Sequence, residues 1–180
     1  FMAQIKPDIE SFARIKVIGV GGGGGNAVSR MVAAKIRGID FLAVNTDVQD
    51  LHKVTAPEKI HIGKNITRGL GAGMNPEIGR QAAEESRAEI QEALRGADLV
   101  FITCGLGGGT GSGAGPVLAE IARDLGAITI GIVTRPFGFE GKQRSRIADE
   151  AMRQMQDKVD TLITIPNDKI LGIIDKKTTL

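Results

Sequence analysis

Five short runs of apolar, largely β-branched residues punctuate the chain, at 15–20, 41–45, 99–104, 128–134 and 162–165. Their apolarity is continuous rather than alternating, which predicts strands buried on both faces. The segments between them carry helical spacing. Residues 26–36 place Ala27, Val28, Met31, Val32 and Ala34 on one stripe, and 116–125 do the same with Val117, Leu118, Ile121 and Ala122. Asn75 before Pro76 reads as an N-cap followed by proline at the first helical position, opening a helix, kinked or straight, over 77–94. Over 141–159 the apolar stripe is Ile147, Ala148, Ala151, Met152, Met155 and Val159. Strands alternating with helices predict a doubly wound α/β fold: a mostly parallel sheet with right-handed crossovers and helices on both faces. Ligands of such sheets sit at the carboxyl ends of the strands.

At 180 residues the chain suits a single core, and 42% hydrophobic with 24% charged residues is ordinary for a chain that folds in water. The 23 basic and 21 acidic residues leave a net charge of +2 without basic runs of note, so nucleic acid is not an expected partner. No apolar stretch is long enough to span a bilayer, no leader-like segment opens the chain, and a lone cysteine cannot form an internal disulfide; the expected compartment is the cytoplasm, without direct membrane insertion.

The 25 glycines are about twice the usual share, and they cluster at 19–25, 69–73 and 105–115. Clustering points to shaped loops. After the first strand, Gly19, Gly21 and Gly24 satisfy the G-x-G-x-x-G spacing ahead of Asn26, where backbone N–H groups and a helix N-terminus meet phosphate; a merely tight strand-to-helix turn is the plain alternative. Asp47, about 20 residues on, would suit a ribose hydroxyl, so this loop alone does not separate a dinucleotide from a nucleotide. A second glycine-rich loop, 105–113, lies between a strand and the helix expected from Pro116, and two anion cradles on one crevice suit a polyphosphate. Neither loop has the Gly-Lys-Ser/Thr ending of a Walker A sequence.

The segments GVGGGGGNAV, VNTD, RGLGAGMNPEIG, GLGGGTGSGAGPV, VTRPFGFEGKQR and TIPNDKIL, in that order, resemble the tubulin/FtsZ family of GTPases, and most closely its bacterial cell-division branch. The likeness runs from Ile15 to Leu180, and GGGTGSG is the family's signature. It implies a doubly wound, Rossmann-like GTPase domain over 15–168, an N-terminal extension over 1–14, and the start of a linker or central helix over 169–180. By the resemblance, Gly22, Gly23, Gly24, Gly25 and Asn26 form the first phosphate loop. Gly107, Gly108, Gly109, Thr110, Gly111, Ser112 and Gly113 surround the β- and γ-phosphates, and Ala72 and Gly73 sense the γ-phosphate. Glu140 and Arg144 hold the ribose, and Asn167 reads the guanine edge. The ligand implied is GTP or GDP, with Mg²⁺ carried by the triphosphate.

Family members continue through the central helix into an acidic loop and an activation domain, and complete the catalytic site with the acidic loop of the next subunit. The 180 residues stop near the start of that helix. The resemblance therefore implies a nucleotide-binding half that binds but hydrolyses little by itself, with no catalytic residue of its own. Its implied partners are further subunits, head to tail, and division regulators, and the longer protein is expected at the septum. Two rivals remain: an NAD(P)-binding oxidoreductase domain, which leaves 105–113 and Asn167 unexplained, and a nucleotide-independent interaction module.

Other residues invite plainer readings. Cys104 ends an apolar strand and reads as packing. His52 and His61 lack metal-ligand spacing, and no metal site of the chain's own is expected. Glu84 and Glu85 with Arg80 and Arg87 read as a solvated helix face. Asp47 is open between capping a short segment and a ligand-side role. Apolar Ile170, Leu171, Ile173 and Ile174 raise the prospect of self-association.

Overall fold

The computed structural model describes residues 12–171. Six strands, β1 (Ile15–Val20), β2 (Ile39–Asn45), β3 (Glu58–His61), β4 (Leu99–Gly105), β5 (Ile128–Arg135) and β6 (Thr161–Pro166), form one sheet in the order β3-β2-β1-β4-β5-β6. Every pairing is parallel, with Ile15 opposite both Ile39 and Leu99. The chain winds outward from β1 to one edge, then returns to the other side of β1 as β4. That reversal makes the β1/β4 boundary the topological switch point, where ligands of open α/β sheets bind.

Among the described residues seven α-helices lie between the strands and an eighth follows β6: α1 (Gly21–Ala33), α2 (Val48–Lys53), α3 (Lys64–Thr67), α4 (Pro76–Glu85), α5 (Arg87–Leu94), α6 (Gly109–Asp124), α7 (Lys142–Gln156) and α8 (Asn167–Leu171). Alternate residues of β1 serve opposite layers. Ile18 and Val20 join Leu42, Val44, Ile102, Ile90 and Leu118 in the larger cluster, whereas Val17 joins Phe41, Ala43, Val28 and Leu51 in the smaller. Both faces of the central strands are thereby buried, as their continuous apolarity requires.

The fold class is as expected, but several boundaries move. The first helix begins at Gly21, not Asn26, and the fourth-strand helix begins at Gly109, so that Pro116 is an interior residue rather than the opening one. Glycine and proline disfavour helix by about 1 and 3 kcal/mol each, and Pro116 gives no N–H to the Ser112 carbonyl. Tertiary packing overrides this, because nearly every residue from Gly109 to Ala122 is buried. The expected helix over 77–94 divides at Ser86, whose Oγ accepts from the Gly63 N–H at 3.2 Å. Strand β3 and helices α2 and α3 carry too short a pattern to be anticipated. Of the apolar residues that raise the prospect of self-association, Ile173 and Ile174 lie outside the described residues, and Ile170 and Leu171 are described in their backbone alone. Among the described residues, no helix is long and apolar enough to cross a membrane.

Candidate functional site

A cleft of about 590 Å³ opens at the carboxyl ends of β1, β4 and β5, over the switch point. Its floor is the junction of β1 with α1 at Val20–Gly23 and of β4 with α6 at Gly105, Leu106 and Gly108–Gly111; Leu70–Gly73 closes one side, and Pro136, Glu140, Arg144 and Asn167 the other.

Helix capping differs among the helices around this cleft. Two helices carry side-chain caps: Asp47 Oδ1 accepts from the N–H groups of Gln49 (2.9 Å) and Asp50 (3.1 Å) at the start of α2, and Asn75 Oδ1 accepts from Glu77 N–H (3.0 Å) at the start of α4. Neither α1 nor α6 has a side-chain cap or an acidic residue in its first turn. Their first N–H groups lack helical partners, and both helix dipoles present their positive ends to the cleft, an arrangement that favours anions. Arg144 is the one cationic side chain in the lining, and its Nη1 is bound to Glu140 Oε2 at 2.8 Å. Glu140 also accepts from Phe137 N–H through Oε1 at 2.9 Å, which fixes the carboxylate at the rim. On the same side, Asp168 Oδ1 accepts from Gly138 N–H at 3.0 Å and ties the start of α8 to the β5–α7 connection beside Asn167.

The glycines serve different ends. A Cβ on Gly24 would overlap the Thr103 carbonyl oxygen and lie 2.8 Å from the Gly19 carbonyl carbon, so the G-x-G-x-x-G spacing lets α1 press against β1 and β4. A Cβ on Gly111 would overlap Gly105 O and one on Gly113 would lie 2.7 Å from Arg80 N, which seats α6 against β4 and α4. Gly108 is unlike these. Its φ of −102° suits any residue, a Cβ there would meet no protein atom within 4 Å, and it lines the cleft at the N-cap of α6. Neither packing nor backbone strain calls for glycine at this position, which leaves open space in the cleft at the start of α6.

Of the residues expected at a site, Gly22, Gly23, Ala72, Gly73, Gly108, Gly109, Thr110, Gly111, Glu140, Arg144 and Asn167 line this one cleft. Gly24, Gly25, Asn26, Gly107, Ser112 and Gly113 do not. Ser112 is buried and its Oγ accepts from Gly107 N–H at 2.9 Å, which shapes the loop from behind, and Gly25 packs on Val54. Sequence reading did not single out Asn45, Asp50, Leu70, Thr134 or Pro136 for the cleft. All but Asp50 flank strand ends or the glycine loops, and that proximity was the available signal. Asp47 does cap α2, and it also lines the cleft.

Cys104 and the charges of the α4–α5 face keep their plain readings. Cys104 is buried to 2% exposure and desolvation pushes its thiol up to about 12, which makes it inert packing beneath α6. On the α4–α5 face, Arg87 pairs with Glu84, Arg80 pairs with Glu77 rather than Glu84, and Glu85 accepts from Asn65. No cluster of three or more His, Cys, Asp or Glu residues placed to hold a metal occurs among the described residues.

Residues 14–175 match the model of the tubulin/FtsZ family, GTPase domain. Among solved structures, the chain is similar to an empty FtsZ dimer from M. jannaschii, with 49% identity and a TM-score of 0.90, over 93% of this chain and 49% of that one. It is also similar to a GTPgS-bound CetZ2 protofilament from Haloferax volcanii, at 27% identity and a TM-score of 0.83, over 93% and 52%. A GDP-bound CetZ1 monomer from the same organism gives 28% and 0.81, over 93% and 54%. The chain thus spans about half the length of these structures.

Proposed function

This chain belongs to the tubulin/FtsZ family through its GTPase domain, and on that premise we propose that the cleft at the β1/β4 switch point binds GTP and GDP as part of a filament-forming cell-division GTPase. The observation that carries the reading is the pair of uncapped helix N-termini, α1 and α6, meeting over a floor where Gly108 leaves space that no protein atom fills. A chain of phosphates laid across both would receive N–H donors from Gly21–Gly23 on one side and from Gly108, Thr110 and Gly111 on the other, the Gly109 N–H being held by the Gly73 carbonyl at 2.8 Å, with Ala72 and Gly73 over its far end. Glu140 accepts from ribose hydroxyls with Arg144 beside it, and the Asn167 amide pairs with the guanine edge. Bound magnesium would neutralise phosphate charge; the acids nearest to hand are Asp47 and Asp50, which line the same cleft.

Identity supports the FtsZ-like over the CetZ-like branch, at 49% against 27 and 28%. In the longer protein, the activity requires an acidic loop from a neighbouring subunit, and the partners are further copies, head to tail, and division regulators at the septum. The 180 residues alone therefore bind nucleotide with little turnover. Calorimetry with GDP, GTP, ATP and NAD in the presence of Mg²⁺ tests the reading, since the chain has neither Trp nor Tyr to report by fluorescence. Guanine-selective binding is expected; preference for NAD, or binding of none of the four, would overturn it.

A further inference from the structure

Thr46 follows the last residue of β2 and is completely buried, at 0% exposure. Its hydroxyl lies 2.6 Å from that of Thr110, the second residue of α6. Its carbonyl oxygen accepts from Thr67 Oγ1 at 3.2 Å and from Gly71 N–H at 3.3 Å. Thr110 lines the cleft and Thr46 stands behind it. One residue outside the cleft thus holds both walls: the start of α6 through its side chain, and the segment that presents Leu70 to Gly73 through its backbone.

The proton arithmetic of the hydroxyl pair gives this contact a direction. Each hydroxyl has one proton and two lone pairs. If Thr110 donates to Thr46, it turns lone pairs toward the cleft and repels an anion. If Thr46 donates, the Thr110 proton is left to be given to the anion, and a hydroxyl that accepts one hydrogen bond donates a second more strongly. Among the described residues Thr46 Oγ1 has no other hydrogen-bond partner, so its proton has no competing destination. An anion in the cleft selects the second arrangement.

We infer that Thr46 is a positioning residue for the phosphate end of the ligand: it fixes the Thr110 hydroxyl in place and in the donor sense. The inference rests on the guanine-nucleotide reading above. The deciding experiment is a calorimetric double-mutant cycle with GDP and GTP on the 180-residue chain, using Thr46→Val, Thr110→Val and both together, with Thr46→Ser as the conservative variant. Thr46→Val is expected to weaken binding between about two- and tenfold, the range of one hydrogen bond's net contribution. Thr46→Ser should restore it to within about twofold, and Thr46→Val should add nothing in the Thr110→Val background. Thermal melts establish folding, and Thr46→Ala replaces Thr46→Val if the latter does not fold. Unchanged binding by Thr46→Val, full additivity with Thr110→Val, or a Thr46→Ser variant as impaired as Thr46→Val would each overturn the inference while leaving guanine binding intact. A wild-type chain that binds no guanine nucleotide would instead overturn the functional reading, and this one with it.

Discussion

Gly113 of α6 and Pro76 of α4 meet backbone to backbone: a methyl group on Gly113 would overlap the Pro76 carbonyl oxygen and lie 2.7 Å from Arg80 N. Overpacking of this kind costs about 1–3 kcal/mol or more, because the obstacle is main chain and cannot rotate away. Gly113→Ala should therefore lower the melting temperature by roughly 3–10 °C for a chain of this size, read by calorimetric or circular-dichroism melts. A variant that melts with wild type would show that α4 and α6 can separate without loss.

Gly108→Ala should behave in the opposite way. Nothing lies within 4 Å of its Cβ position and its φ of −102° is unstrained, so the loss of stability should not exceed about 1 kcal/mol, the preference for glycine over alanine at an N-cap. Affinity for GDP should fall about tenfold or more, as the methyl takes space that the phosphates need. Equal affinity in titration calorimetry would remove the argument that glycine is there for a ligand.

Asn75 caps α4, the helix that supports α6, through its bond from Glu77 N–H. Asn75→Ala should cost about 1 kcal/mol, while Asn75→Asp and Asn75→Ser should cost less, in urea titrations of the three variants. A neutral alanine variant would mean that Pro76 at the first helical position alone defines this terminus.

Acid should loosen the layer on which α6 rests. Glu120 accepts from Lys158 Nζ at 2.7 Å and from Arg87 Nη2 at 2.9 Å, and these bonds hold its carboxyl below the ordinary 4.5. Glu84 is lowered by Arg87 in the same network. A folded-state value below the unfolded one means that the unfolded chain binds more protons in the acid range. The stabilisation is then complete above about 4.5 and disappears as pH falls through the lowered folded values. With about a third of its side chain in water, at 31%, screening limits the contribution of Glu120 to about 1 kcal/mol. Glu120→Gln should melt lower at pH 7 and show a flatter loss of melting temperature from pH 5 to 3; a slope equal to wild type would exclude this group as the source.

Asn167→Ala should narrow the preference for GTP over ATP by about tenfold, the effect of losing one or two hydrogen bonds to the base edge. Competition calorimetry reads the ratio directly. An unchanged ratio would assign base selection to residues other than Asn167.

How much of this was legible beforehand depended on what each residue answers to. The strands were readable because their burial on both faces removes polar residues, and Asn75–Pro76 because a cap is a local device. The starts of α1 and α6 were not, since glycine and proline argue against helix and only the contact of Gly24 with β4, or of Gly113 with α4, explains why helix wins. The same ambiguity ran through the site. Gly108 and Gly113 belong to one glycine-rich stretch, yet the first is open and the second is wedged against main chain, a difference that only three dimensions contain. Thr46 was invisible for a related reason: its partner is 64 positions away.

The reversal of the sheet between β1 and β4 also governs when the cleft comes into being. Ile15 pairs with Ile39 across one short crossover, but the floor of the cleft requires Ile15 to pair with the far more distant Leu99 as well. Long-range parallel pairing is a slow step of folding, because a large loop must close before any contact compensates for it. A nascent chain that has emerged only as far as α5 owns α1 and lacks α6, and so has half of its anion cradle. The cleft is therefore complete only when the topology is, and a ligand that needs both helix termini would bind the finished fold rather than its nascent forms.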